Sequence, residues 1–388
     1  MLWYPPAVRT NPRLARLPAY PTVTLDRKRD ALLAAGRTVY DFGTGDPIEP
    51  TPAAVRAAML DAVPENCRYP TVRGDPNVRA AFAGWARRRL GVEMDPDTMV
   101  LPTSGTKEAV YHLPLLTIDA DAPDRGVVFP DPGYSVYYRG AVLAGGEPIP
   151  QRLVGDFVQR PWELPRDVLT RTRMLWINSP HNPTGAVMSR DDLCRTYDVC
   201  REHDILLVSD ECYVDVWFDE RPASILEIAT EGVLALFSLS KRSGMTGYRS
   251  GIIAGDPAVI GPLRELRTNH GVAAQDFVNA AARVAWSDDV HAEERRHLFG
   301  AKRKILLEFL AEAGLDVVAS EASFYLWVKA PAPYDGNRYA ERLLDAGILT
   351  NPGSFFSVTD AGDDYVRLAL VPDLAGCRAA VEAWRALL

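Results

Sequence analysis

Apolar and polar positions follow two different periods along this chain, and the changes of period divide it. Over residues 51–63 and 76–90, alanine, arginine and apolar residues recur at helical spacing, which predicts two surface helices. The pattern then becomes short apolar runs, at 99–101, 126–129, 174–177, 205–208, 234–237 and 251–254, separated by helical stretches. Runs of that length with helices between them predict βαβ units and an α/β fold with a mostly parallel central sheet. Each run stops abruptly at polar, proline or glycine residues. Ligands of such sheets bind beyond the carboxyl ends of the strands, so chemistry is expected to collect there.

After residue 259 come long helical patterns, the last at 303–312, then an alternation over 315–328 and a closing helix over 374–388. This part predicts a smaller α+β domain. With 388 residues the chain exceeds what one core usually serves. The expected division is an N-terminal arm over 1–45 that joins the small domain, a large domain over 46–284 and a small C-terminal domain over 285–388. The first 24 residues are rich in proline and arginine without a period, and are expected to order only by packing on another surface.

Composition removes several function classes. The net charge is −8 and both signs are interspersed, so no basic stripe marks a nucleic-acid partner. No apolar run approaches the roughly 20 residues of a membrane span, and the start lacks a basic segment followed by an apolar one, which predicts a cytoplasmic protein with no membrane partner. Five cysteines, without a C-x-x-C pair, and six scattered histidines predict reduced thiols and no metal site. The histidines read as structural, with a place lining the site as the other reading for His181 in the asparagine turn, and the charged run Glu293-Glu294-Arg295-Arg296 reads as a solvated face.

The densest chemical signal follows the run at 234–237: Ser238-Leu239-Ser240-Lys241, and Arg249 in the same loop. A lysine near other positive charge or partly desolvated forms Schiff bases readily, and hydroxyls with a guanidinium suit a phosphate. A basic surface loop has the same composition. Pro102-Thr103-Ser104-Gly105-Thr106-Lys107 follows another run and offers an anion site at a helix start, or a plain helix cap. Asn178-Ser179-Pro180-His181-Asn182-Pro183-Thr184-Gly185 is a rigid turn that carries the Asn182 amide. Ser209-Asp210-Glu211-Cys212-Tyr213 puts a carboxylate at the end of a buried strand, where a cap is the other reading.

Together, in this order, these segments resemble the fold-type I aminotransferases, from Gly43 to Leu370. The resemblance implies a pyridoxal 5'-phosphate (PLP) enzyme whose Lys241 is both covalent anchor and proton carrier, with Asp210 at the pyridine nitrogen. It implies that Asn182 and Tyr213 hold the phenolic oxygen, that Tyr134 stacks on the ring, and that Gly105, Thr106, Ser238, Ser240 and Arg249 hold the phosphate. Arg367, in Tyr365-Val366-Arg367-Leu368, is implied as the clamp on the substrate α-carboxylate, with Gly45 as a second contact and Asn182 reaching substrate as well. Tyr69 resembles the tyrosine that reaches the phosphate of a neighbouring subunit, which implies a homodimer with shared sites.

Longer stretches, among them Lys107-Glu108-Ala109-Val110-Tyr111 and Ser323-Phe324-Tyr325-Leu326-Trp327, are similar to bacterial N-succinyldiaminopimelate aminotransferases of lysine biosynthesis. Such enzymes exchange an amino group between N-succinyl-LL-diaminopimelate and 2-oxoglutarate. Ser135 departs from the proline that many relatives carry after the stacking tyrosine, and the arm is unusual. These departures leave the substrate open, with PLP-dependent elimination, replacement or cyclisation in specialised metabolism as the alternative.

Overall fold

The short apolar runs assemble into one sheet. The computed structural model describes residues 9–18 and 23–388, so residues 1–8 and 19–22 of the expected arm lie outside it. In chain order the strands are β1 (Tyr40–Asp41), β2 (Val100–Thr103), β3 (Gly126–Asp131), β4 (Glu147–Arg152), β5 (Thr172–Asn178), β6 (Leu206–Asp210), β7 (Val233–Ser238), β8 (Gly251–Gly255), β9 (Val317–Ala319), β10 (Tyr325–Lys329), β11 (Ile348–Leu349), β12 (Asn351–Pro352) and β13 (Tyr365–Ala369). The large sheet has the order β2-β8-β7-β6-β5-β3-β4. From β4 to β7 all neighbours are parallel, and β8 runs antiparallel to both β7 and β2. The mostly parallel sheet expected from the apolar runs is therefore present. Every residue of β3, β7 and β8 is buried, as a sheet covered on both faces by helices requires.

One strand of this sheet has no apolar run to announce it. β4 contains Pro148 and Pro150 and is only partly buried. It pairs with β3 alone, at the sheet edge, where a residue without an N–H removes the fewest ladder bonds.

Two of the covering helices are those predicted by periodicity, Ala53–Asp61 and Pro76–Leu90. The second starts at Asp75, whose side chain accepts from the Asn77 N–H, with Pro76 in the first turn, and stops at Gly91 in the left-handed conformation. Its inner face is not a surface. Phe82 and Trp85 meet Phe237 of β7 and Trp286 of the helix Asp276–Ser287, with ring centroids 5.1 to 5.3 Å apart.

The second sheet is antiparallel, in the order β12-β13-β10-β9. The helices Val290–Glu312, Gly336–Asp345 and Leu374–Arg385 pack on it around a core that includes Phe299, Leu306, Leu343 and Trp384. β1 joins this part by pairing in parallel with β11. The helix Val290–Glu312 begins well before the periodic stretch at 303–312, and Arg295 corrects the solvated-face reading. Arg295 is buried, and its Nη1 donates to the carbonyls of Glu49 and Pro50, whereas Glu293 and Glu294 are exposed. Among the described residues no helix is long and apolar enough to cross a membrane.

A buried ion pair ties the segment after β1 to this second core. The Lys302 ammonium, 0% exposed, bonds the Glu49 carboxylate and donates to the carbonyls of Leu370 and Val371 at 3.1 Å each. Removing one partner strands the other charge out of water, which costs about 3–5 kcal/mol. Lys302→Ala is accordingly expected to lower the denaturant midpoint strongly, and Glu49→Ala on that background to recover part of the loss. Unchanged stability of Lys302→Ala would contradict this tie.

Candidate active site

The carboxyl ends of β5, β6 and β7 open on a cavity of about 700 Å³. The strand register pairs Asn178 with Asp210, so the last residues of β5 and β6 stand side by side. The Asn178 side chain organises the turn that follows. Its Nδ2 donates to the Asp210 carbonyl at 2.7 Å and to the Pro180 carbonyl at 3.1 Å, and its Oδ1 accepts from the Asn182 N–H at 2.8 Å. Asn182 is thereby held at the cavity mouth, where its Oδ1 accepts from Arg367 Nη1 at 2.9 Å.

The Asp210 carboxylate is buried and pairs with no cation among the described residues. Tyr137 donates its hydroxyl to Oδ2 at 2.8 Å and the Cys212 N–H donates to Oδ1 at 3.2 Å. Burial raises the carboxyl above its ordinary range, and these hydrogen bonds only partly oppose the shift. A protonated ring nitrogen would satisfy this group. Tyr213 hydrogen-bonds Tyr325 hydroxyl to hydroxyl at 2.8 Å, and burial followed by Tyr325 pushes its phenol well above the usual value. The Cys212 thiol lies 3.1 Å from Thr106 Oγ1.

Lys241 lies just beyond β7, in the short helix Leu239–Arg242, and its Nζ donates to the Gly45 carbonyl. Burial lowers its ammonium to about 8, with Arg367 and Arg249 pushing the same way and Asp46 opposing. Arg249 takes positive φ, 57°, and its Nη1 donates to the Thr246 carbonyl at 2.8 Å. It packs so closely over Gly105 that a Cβ there would stand 2.2 Å from its Nη2. Glycine is needed twice over, since Gly105 also has φ of +78°.

Arg367, in the middle of β13, is only 4% exposed. Its Nη2 donates to the Gly43 carbonyl at 2.8 Å, and its guanidinium lies 4.2 Å from the Tyr325 ring centroid and 4.4 Å from that of Phe356. Its Nε finds no hydrogen-bond partner among the described residues. Asn351, opposite it on β12, donates to the same Gly43 carbonyl at 2.7 Å.

The cavity thus gathers Gly45, Thr106, Tyr134, Asn182, Asp210, Tyr213, Ser238, Ser240, Lys241, Arg249 and Arg367 of the residues expected from the sequence. Gly105 stands behind Arg249. Tyr69 lies outside the cavity and is 100% exposed. His181 does not line it either, which favours the structural reading over the site-lining one. Its ring is buried, Nδ1 bonds Thr184 Oγ1 at 2.8 Å, and burial lowers it to about 3, so it is a neutral structural group. Sequence reasoning missed Asn178, Tyr325, Asn351 and Phe356, which also line the cavity, and Tyr137, which bonds Asp210. Asn178 was the most findable, as the polar residue directly after an apolar run. Among the described residues no three His, Cys, Asp or Glu cluster as a metal site would require.

Residues 37–383 match the family model for aminotransferase class I and II. The chain belongs to this family. The aminotransferase is 35% identical over 367 residues to the LL-diaminopimelate aminotransferase of Aquifex aeolicus, covering 92% of this chain and 94% of that one. It is 36% identical over 361 residues to the 4-dedimethylamino-4-oxo-anhydrotetracycline transaminase of Streptomyces rimosus, covering 92% and 96%. Among solved structures, an aminotransferase from Neisseria meningitidis superposes with a TM-score of 0.90 at 30% identity, over 97% of this chain and 100% of that one. Thermus thermophilus aspartate aminotransferase with maleate gives 0.89 at 28%, over 98% and 100%. Members of the family depend on PLP, and the cavity fits that cofactor in its donor set. A buried lysine, an unpaired buried carboxylate, and hydroxyls beside an arginine stacked on a glycine correspond to its aldehyde, ring nitrogen and phosphate.

Only the unprotonated Lys241 amine attacks an aldehyde. Because this ammonium is lowered to about 8, the rate of PLP uptake by the cofactor-free aminotransferase should rise about tenfold per pH unit below that value and level off above it. A rate still climbing through pH 10 would show an ordinary, solvated lysine instead.

Proposed function

We propose that the aminotransferase moves an amino group from a diaminopimelate-type donor to 2-oxoglutarate, within lysine biosynthesis. The observation that carries this reading is the convergence of Lys241, Asp210, Arg249 and Arg367 on one cavity. When bound, PLP supplies an aldehyde that condenses with amines and a ring that draws electrons from the substrate. Lys241 would hold it, and its Nζ would carry the proton taken from the substrate Cα. Asp210 holds a proton on the ring nitrogen, with Tyr137 fixing the carboxylate. Asn182 and Tyr213 hold the phenolic oxygen, and Tyr134 covers the ring. Gly105, Thr106, Ser238, Ser240 and Arg249 receive the phosphate.

Arg367 clamps the substrate α-carboxylate. Its two flanking rings exclude water and strengthen the charge–charge contact, and the Gly45 backbone lines the same end of the cavity. The relatives that are LL-diaminopimelate aminotransferases favour the free diamino acid over the N-succinylated one expected from the sequence alone. The cavity's remaining charges agree. Asp26, Asp46 and Lys107 also line it and match a distal ammonium and carboxylate, and N-succinylation would remove that ammonium. A second reading, amino transfer to a polycyclic ketone, is favoured by the tetracycline-pathway relative and by the aromatic wall of Tyr134, Phe355 and Phe356.

The test is the visible spectrum of the PLP-loaded enzyme titrated with glutamate, LL-diaminopimelate and N-succinyl-LL-diaminopimelate, followed by 2-oxoglutarate. Bleaching by glutamate and LL-diaminopimelate, with return of the band on adding the oxo acid, is expected. A band bleached by glutamate alone sends the search to ketone acceptors. A band that no donor bleaches contradicts the donor assignment and favours elimination or cyclisation. Arg367→Ala should weaken donor binding about 100-fold while leaving the cofactor band intact. Equal donor affinity in that variant removes the clamp.

The division of the chain into arm, large and small domains at 45/46 and 284/285 is part of this proposal, as is a homodimer. Tyr69 is fully exposed, and Ile48, Leu60 and Val63 leave apolar surface on the same stretch of chain. Tyr69 would reach the phosphate held by a second copy. Light scattering should give twice the chain mass, and a fully active monomer would contradict shared sites.

A further inference from the structure

Asp131, the last residue of β3, is 1% exposed, yet it pairs with no cation among the described residues. Its partners come instead from the segment that follows β12, on the far side of the cavity. Oδ2 accepts the hydroxyls of Ser357, at 2.8 Å, and Thr359, and Oδ1 accepts the Val358 N–H at 2.8 Å. Two further contacts join the same surfaces. The Gly133 N–H donates to the Phe356 carbonyl at 2.7 Å, and Arg152 at the end of β4 pairs with Asp360 at 3.1 Å.

These contacts end where the substrate clamp begins. Phe355 and Phe356 line the cavity, and Phe356 forms one of the two rings against the Arg367 guanidinium. The other end of the catch leads, through Pro132 and Gly133, to Tyr134 at the ring position. Ionised carboxylates make hydrogen bonds roughly twice as strong as neutral acceptors do, and burial strengthens them further. The three donors sit just beyond the packed Phe355 and Phe356, on the outer part of the loop, where the carboxylate is what holds it to the large sheet. Ser357 is partly buried, and Val358 and Thr359 are exposed.

We infer that Asp131 is a latch that holds the Phe355–Phe356 wall against the large sheet, so that Arg367 receives the substrate carboxylate between two rings and out of water. Asp131 is a positioning residue and touches neither cofactor nor substrate. The inference rests on the reading of Arg367 as the carboxylate clamp. Opening the latch should expose the Arg367 guanidinium to water and weaken the grip on substrate while leaving the cofactor in place. Both half-reactions should suffer alike, because donor and acceptor share the α-carboxylate.

Two variants test this in the PLP-loaded enzyme. Asp131→Ala removes the acceptor, and Ser357→Ala with Thr359→Val removes two donors on the loop without touching a core. For each, the glutamate concentration that half-bleaches the cofactor band is measured, together with amide hydrogen exchange of residues 353–360. We expect about a 10-fold rise in half-saturating glutamate, little change in the limiting rate, an intact cofactor band, and faster exchange of the loop. Asp131→Asn, which keeps one acceptor oxygen, should fall between these variants and the parent. Unchanged exchange in the loop variant overturns the latch, and so does faster exchange with unchanged half-saturation. Arg367→Ala, run in parallel, separates the two ideas. If it leaves donor binding intact the clamp reading fails, while the loop variant still decides whether Asp131 governs substrate capture.

Discussion

A buried cation without a counter-ion organises this protein. Arg367 sits in the middle of β13, almost fully enclosed, and forms no ion pair among the described residues. Its charge is met only by partial charges: the Gly43 carbonyl, the Asn182 amide oxygen and two ring faces. An isolated buried charge is costly, so the surrounding chain must supply these dipoles and hold them rigidly. The segment after β1 supplies one, pinned by the Glu49–Lys302 pair at one end and by Asn351 at the other. The turn after β5 supplies another, set by Asn178. Three stretches far apart in sequence therefore converge because one guanidinium needs them, and a carboxylate is the ligand that would complete the set.

The same cation acts on the chemistry at the centre of the cavity. Burial is the largest influence on Lys241, and Arg367 and Arg249 add to it, so the amine loses its proton near neutral pH rather than several units above. Asp210 presents the mirror case, a carboxylate raised by burial with hydrogen bonds and no cation. The cavity is thus lined by basic groups, Lys241, Arg249 and Arg367, and by a buried carboxylate that none of them pairs with. In the proposed reading a phosphate, a protonated ring nitrogen and a substrate carboxylate would each find a group of the opposite sign.

Much of this was legible in the sequence, and the remainder was hidden for physical reasons. Abrupt ends of apolar runs mark strand ends, so Asp210, Ser238 and the Asn182 turn could be placed at one sheet edge before any coordinates. The helices at 53–61 and 76–90 followed from periodicity. β4 escaped because edge position tolerates prolines that erase a strand's signature. Tyr137, Tyr325 and Phe356 escaped because an aromatic residue reads as core from one sequence, and only tertiary contact reveals that Tyr137 serves a carboxylate or that Phe356 faces a guanidinium. Arg295 and Lys302 read as solvated helix charges, yet both are buried by long-range partners near Glu49 that no local pattern announces. Asp131 looks like an ordinary turn residue for the same reason.

The central claim is that Lys241 carries the cofactor. The most direct measurement is to reduce the PLP-loaded enzyme with borohydride, which fixes the cofactor to its amine, and to map the modified peptide by mass. The account predicts the added pyridoxyl mass on the peptide containing Lys241, at one site per chain. The mass on Lys107, the other lysine that lines the cavity, or on no lysine at all, would contradict it.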